Sequence, residues 1–123
     1  ATRVTAVTVL TSLDAEQLRV LGIDGSPQEV VLRWAQSAVE AGALALVCSP
    51  QEVAIVRAHV PANITLITPG VRPANSTSDD QRRTATPEQA LADGADLLVI
   101  GRPITGQNDP AAAARALAAS LLA

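Results

Sequence analysis

The chain has 123 residues, 48% of them hydrophobic, enough to bury one core and far too few for two ordinary domains, so residues 1–123 are expected to form a single domain. A net charge of −3 and no basic run longer than Arg82 and Arg83 argue against a nucleic-acid or anionic-membrane partner. No apolar stretch approaches the roughly 18 residues of a membrane span, and no charged-then-apolar leader opens the chain, which points to a cytoplasmic protein.

The first aliphatic, β-branched run is residues 4–10, the pattern of a buried strand. A short helix is predicted from Asp14 to Leu21, with Gly22 closing it. Ser26-Pro27-Gln28-Glu29 combines an N-cap serine, a proline at the first helical position and a capping-box glutamate, so a longer helix should run from there toward Gly42. That helix carries Trp34, the sole aromatic residue, so the core must be built from Ala, Val, Leu and Ile. Residues 43–48 form the second strand-like run. They end on the single cysteine, Cys48, which excludes an internal disulfide and, without an activating neighbour, reads as a small buried hydrophobe rather than a nucleophile. Ser49-Pro50-Gln51-Glu52 repeats the capping pattern and predicts Ser49 as the next N-cap. His59 falls mid-helix in that unit, as a helix-face residue.

Residues 64–68 make a third strand. The segment that follows, 69–85, is rich in Gly, Pro, Asn, Ser and Asp and is too long for a mere connector. Thr86-Pro87-Glu88-Gln89 starts another helix, ending at Gly94. Residues 96–100 give the fourth strand, and Asp109-Pro110 opens a final alanine-rich helix.

Strands alternating with amphipathic helices specify an α/β fold, a parallel sheet of four β-α units covered by helices through right-handed crossovers. Two architectures compete: a doubly wound open sheet, and half of a TIM (β/α)8 barrel, whose full length is about 250 residues. The first strand is followed by no G-x-G-x-x-G fingerprint, and no P-loop is present, which removes the open sheet's best-known ligands.

At the C-terminal edge of the strands, where such folds bind ligands, the loops bring Thr11 and Ser12, Ser49, Thr68 to Pro73 with Asp80 to Arg83, and Gly101 to Pro103. Loops after the last strands of barrels frequently hold phosphate. A glycine lets backbone N–H groups approach the oxygens, and an arginine supplies a permanently charged fork, so Gly101 and Arg102 suit that task; a surface salt bridge is the alternative use of Arg102. Gln81 offers a donor and an acceptor on one side chain, enough to bridge a phosphate and a pyrimidine edge. Ser49 offers a further donor to a base alongside its capping role.

Six ordered motifs, Thr8-Val9-Leu10-Thr11-Ser12, Val47-Cys48-Ser49, Thr68-Pro69-Gly70-Val71-Arg72-Pro73, Asp80-Gln81-Arg82-Arg83, Thr86-Pro87-Glu88-Gln89-Ala90 and Val99-Ile100-Gly101-Arg102-Pro103-Ile104-Thr105, resemble the C-terminal half of bacterial orotidine 5'-phosphate decarboxylase. The resemblance covers essentially the whole chain. It implies half of a TIM barrel from an enzyme of pyrimidine biosynthesis that converts orotidine 5'-phosphate to UMP and CO2 without metal or organic cofactor and works as a homodimer. By the same resemblance Arg102 and the Gly101 backbone hold the phosphate, Gln81 reaches phosphate and base, Ser49 meets the pyrimidine, and Thr11 and Arg72 line the site. Pro69 and the loop after it look like the family's phosphate-gripping lid.

The family's chemistry also uses a lysine that protonates the developing carbanion, with aspartates of a Lys-x-Asp motif, on the half of the barrel that this chain lacks. No lysine occurs in this sequence, and arginine holds its proton too tightly to replace it. No catalytic residue is therefore assigned. Three readings follow: a nucleotide-binding half that is inactive alone, a structural half-barrel whose ligand face is not assembled, or one part of a lyase completed by a complementary N-terminal half. A half-barrel exposes two sheet edges and its inner face, so pairing of two copies, or with the complementary half, is expected.

Overall fold

The computed structural model describes residues 2–74 and 85–123. Four strands, β1 (Thr5–Val7), β2 (Ala45–Val47), β3 (Thr65–Thr68) and β4 (Leu97–Leu98), form one sheet in the order β1-β2-β3-β4, every pair parallel. Each strand is shorter than its apolar run, because the run ends where the chain leaves the ladder for a loop. Hydrogen bonds continue past the formal ends of β4, from Asp96 N–H to Leu66 O and from Val99 N–H to Thr68 O, both 2.9 Å.

Six helices connect and cover the strands: α1 (Ala15–Val20), α2 (Pro27–Glu40), α3 (Val53–His59), α4 (Pro87–Ala92), α5 (Arg102–Thr105) and α6 (Pro110–Leu122). The four-turn helix α2 begins on the predicted capping box. Ser26 Oγ accepts from Glu29 N–H, while Glu29 accepts from the Ser26 backbone N–H at 2.7 Å and from its hydroxyl at 2.9 Å. Those two bonds, the backbone one first, hold the Glu29 carboxyl below its ordinary range. The folded form of the group is the more acidic one, so its contribution is present above the ordinary carboxylate range and is lost as pH falls through the lowered value. Thr86 and Asp109 cap α4 and α6 by accepting from Gln89 and Ala112 N–H. Helix α5 had no signal in the sequence.

Ser49 does not cap α3. The helix starts at Val53 with Glu52 as its N-cap and no side-chain cap bond. Residues 50–52 make a turn in which Glu52 N–H donates to Ser49 O at 3.0 Å. The serine hydroxyl is drawn to the buried Glu52 carboxyl and not to a backbone N–H.

Strand register divides the sheet into two faces, since partnered residues of a parallel ladder point the same way and neighbours along a strand point oppositely. One row is Ala6, Leu46 and Leu66. The two leucines have no exposed surface and belong to a core with Leu18, Val30, Val53 and Val56 from the helices. The opposite row is Val7, Val47, Ile67 and Leu97. Its outer members are 57% and 55% exposed, and Val99 beyond them is 51% exposed. Helices thus cover one face of the sheet only. Trp34 stays outside the aliphatic core, at 37% exposure.

At the N-terminal end of the strands, Arg57 of α3 ties three segments together. Its guanidinium donates to Gly94 O, to Ile64 O and, at 2.5 Å, to Asp96 Oδ2, which in turn accepts from Leu66 N–H. Gly94 follows α4 at φ +106°, and a Cβ there would lie 3.0 Å from Arg57 Cγ. Gly42 follows α2 at φ +95° with nothing within 4 Å of the same position. Gly42→Ala should therefore cost only the left-handed backbone penalty, about 1–2 kcal/mol. Gly94→Ala should cost more, because it also displaces Arg57; urea unfolding midpoints of the two variants check the order.

Candidate functional site

Loops at the C-terminal edge of β3 and β4 enclose the site. After Thr68 the chain turns at Pro69 and Gly70, the latter buried at φ +77°, a conformation that a side chain would strain. The turned segment is then fastened. Val71 bridges in parallel to Ala85, and Arg72 N–H donates to Ala85 O at 2.9 Å, so the long segment between them leaves and returns at one place and Arg72 stands at its neck. Val71 is 2% exposed and anchors the neck in the core.

After β4, Gly101 is the N-cap of α5 and its carbonyl accepts from Ile104 and Thr105 N–H at 2.9 and 3.0 Å. This single turn presents Arg102 at the sheet edge. Residues 69–72 and 101–103, with Val99, line a cavity of about 160 Å³. Two guanidinium-bearing residues, Arg72 and Arg102, meet there on either side of glycine backbone. The volume is below the roughly 300 Å³ at which pockets for whole small molecules begin. Its size suits a single small charged group.

Three of the six residues singled out in the sequence, Arg72, Gly101 and Arg102, therefore line one cavity. Thr11 and Ser49 lie at the same edge, past the ends of β1 and β2, and do not line it. Gln81, with the rest of residues 80–83, falls outside the described residues. Gly101 has a negative φ, and a Cβ there would meet nothing within 4 Å, so close packing does not account for its glycine.

Ser49 is fully buried and Glu52 is 1% exposed, and the serine hydroxyl donates to Glu52 Oε2. A carboxylate only accepts, so the single serine proton is committed inward and is not available to a ligand while that bond stands. Sequence reasoning missed Glu52. Its signal was present in the capping pattern, where a glutamate three residues after a serine has two uses: to cap a helix, or to bond the serine itself. His59 lies far along α3, its Nδ1 2.7 Å from Ile55 O, as a helix-face residue does. Cys48 is buried within the core. Among the described residues no group of three or more His, Cys, Asp or Glu could hold a metal, and no helix is long and apolar enough to cross a membrane.

The family model described as orotidine 5'-phosphate decarboxylase / HUMPS family matches residues 1–117. The chain belongs to that family. It is 65% identical over 120 residues to an orotidine 5'-phosphate decarboxylase of Thermobifida fusca, covering 98% of this chain and 52% of the relative. It is 61% identical to one of Frankia casuarinae, covering 98% and 44%. A crystal structure of orotidine 5'-phosphate decarboxylase from Lactobacillus acidophilus superposes with a TM-score of 0.81 at 34% identity, over 98% of this chain and 50% of that one. The corresponding protein from Pyrococcus horikoshii, at 17% identity and a TM-score of 0.71, supports the fold alone. The chain spans about half the length of the curated relatives it matches, and its four-stranded parallel sheet is half of their TIM barrel.

The Ser49 and Glu52 pair gives a stability prediction of its own. Ser49→Ala should cost about 1–3 kcal/mol by leaving a buried carboxyl short of a donor. The same substitution made on a Glu52→Ala background should cost close to nothing. A double-mutant cycle by denaturant unfolding reads the difference.

Proposed function

We propose that this chain is the phosphate- and pyrimidine-binding half of an orotidine 5'-phosphate decarboxylase, inactive by itself. The observation that carries the reading is the cavity where Arg72 and Arg102 converge on Gly101. Two permanently charged side chains on either side of open backbone suit a dianionic phosphate monoester. The cavity holds the phosphoryl end only, which leaves the ribose and base to extend along the sheet edge toward the loops after β2 and β1.

On this reading Arg102 and the Gly101 backbone grip the phosphate and Arg72 closes the other side. Gln81 bridges phosphate and base. Thr11 and Ser49 bound the base end, Ser49 by shaping its loop while its hydroxyl is engaged with Glu52. No metal or organic cofactor takes part. The chain has no lysine, and its one histidine, His59, lies on the face of α3 and does not line the cavity, so on this reading the proton comes from the complementary half with its Lys-x-Asp segment.

Titration with UMP, followed by NMR, tests the proposal. Binding is expected for the chain as it stands, and Arg102→Ala should weaken it by roughly 10- to 100-fold, the worth of a charge-assisted phosphate contact. Unchanged affinity in that variant removes the phosphate role. No decarboxylation should be measurable until the complementary half is mixed in.

A further inference from the structure

On the reading of the cavity as a phosphate site, we propose that Thr68 is a positioning residue for it: the buried Thr68 hydroxyl accepts a backbone N–H of the turn 69–72 when a phosphate seats between Arg72 and Arg102, and so fixes the turn around the ligand. Every group involved belongs to β3, to β4 or to the loop after each.

The buried polar side chains among the described residues are Thr8, Thr11, Ser49, Glu52 and Thr68, and all five lie at or just past the C-terminal ends of the strands. Buried hydroxyls are nearly always bonded, because an unpaired one gives up water for nothing. Thr8 donates to Val47 O at 2.7 Å, and Ser49 donates to Glu52. Thr68 departs from the rule. Its side chain has no exposed surface, and its Oγ1 has no hydrogen-bond partner among the described residues. Its carbonyl accepts from Val99 N–H at 2.9 Å, so the residue itself is held in the sheet.

The next residues along the chain carry the donor. Ser, Thr and Asp side chains readily accept from a backbone N–H two or three residues on. Ser26, Thr86 and Asp109 each precede a proline, and each accepts from the N–H three residues on, those of Glu29, Gln89 and Ala112, at 3.3, 3.2 and 2.9 Å. Thr68 precedes Pro69 in the same way, and the matching donors are the Gly70 and Val71 N–H groups. The difference is Gly70 at φ +77°, which turns the chain over the cavity instead of into a helix. Pro followed by a Gly of positive φ is the sequence of a type II turn, and a glycine without Cβ lets the peptide between them rotate. The two ends of the turn are fixed. Val99 holds Thr68, Arg72 N–H donates to Ala85 O at 2.9 Å, and the Val71 side chain is 2% exposed in the core. An anion between the two guanidinium groups draws on this turn through Arg72, and rotation at Gly70 brings an N–H to the Thr68 hydroxyl. A bond made only in the loaded site favours the complex over the free chain and so raises affinity.

Thr68→Val keeps the side-chain shape and removes the hydroxyl. Titrated by NMR with UMP and with inorganic phosphate, it should bind each about 3- to 10-fold more weakly than the unaltered chain, the worth of one neutral hydrogen bond. Thr68→Ser, which keeps the hydroxyl, should bind as the unaltered chain does. Without ligand, Thr68→Val should unfold at no lower a urea concentration than the unaltered chain, since no bond is lost there; a purely structural hydroxyl would lower that midpoint and leave affinity alone. Equal affinity in Thr68→Val, a serine variant as weak as the valine one, or a valine variant destabilised without ligand overturns the inference. Binding that Arg102→Ala abolishes and Thr68→Val leaves unchanged sinks the Thr68 role alone, whereas no binding by the unaltered chain removes the phosphate reading and this role with it.

Discussion

One constraint governs this molecule: a parallel sheet must bury both faces, and this chain brings helices for only one. Leu46 and Leu66 have no exposed surface because α2 and α3 cover their side of the sheet. Along the opposite row exposure rises toward the outer strands, from half-buried Val47 and Ile67 to Val7 and Leu97 at 57% and 55%. The core is consequently a one-sided aliphatic slab built from Val, Leu, Ile and Ala. Its stability leans on explicit helix capping and on the Arg57 clamp that joins α3 to the chain flanking β3 and β4.

The parallel direction of the strands also fixes where the cavity lies. Strands that run in one direction send all their C-terminal loops to one edge, and the loops after β3 and β4, being neighbours in the sheet, form the cavity together. What holds the cavity open is local. Gly70 reverses the chain, Val71 plugs into the core, and the Ala85 bridge draws the far end of the long segment back beside Arg72. On the other side, a single helical turn started by Gly101 sets Arg102 facing it.

Much of this was legible in the sequence because the signals were local. Ser26-Pro27 with Glu29, Thr86-Pro87 and Asp109-Pro110 each define a helix start by chemistry confined to four residues. The aliphatic runs located all four strands, though not their ends, which depend on where a partner strand stops. Family motifs brought Arg72, Gly101 and Arg102 together although they are up to thirty positions apart. Ser49 marks the limit of such reasoning. Its tetrapeptide matches the capping pattern as well as Ser26 does, but Glu52 is buried and Glu29 is not, and burial is a tertiary fact. Once the carboxyl is out of water it takes the nearest hydroxyl, and the helix starts one turn later.

On the proposed reading, the absence of lysine separates binding from chemistry along the chain. Arginine keeps its proton at any physiological pH and disperses the charge over a planar fork, which is what a phosphate clamp needs and what a proton donor cannot use. On the proposed reading, a barrel divided at its midpoint leaves the clamp on one side of the cut and the donor on the other. The clamp needs only two adjacent loops and their glycine turns, all encoded here. The donor would need a group aimed across the mouth from strands this chain does not contain, so affinity for the phosphate can outlast the loss of turnover.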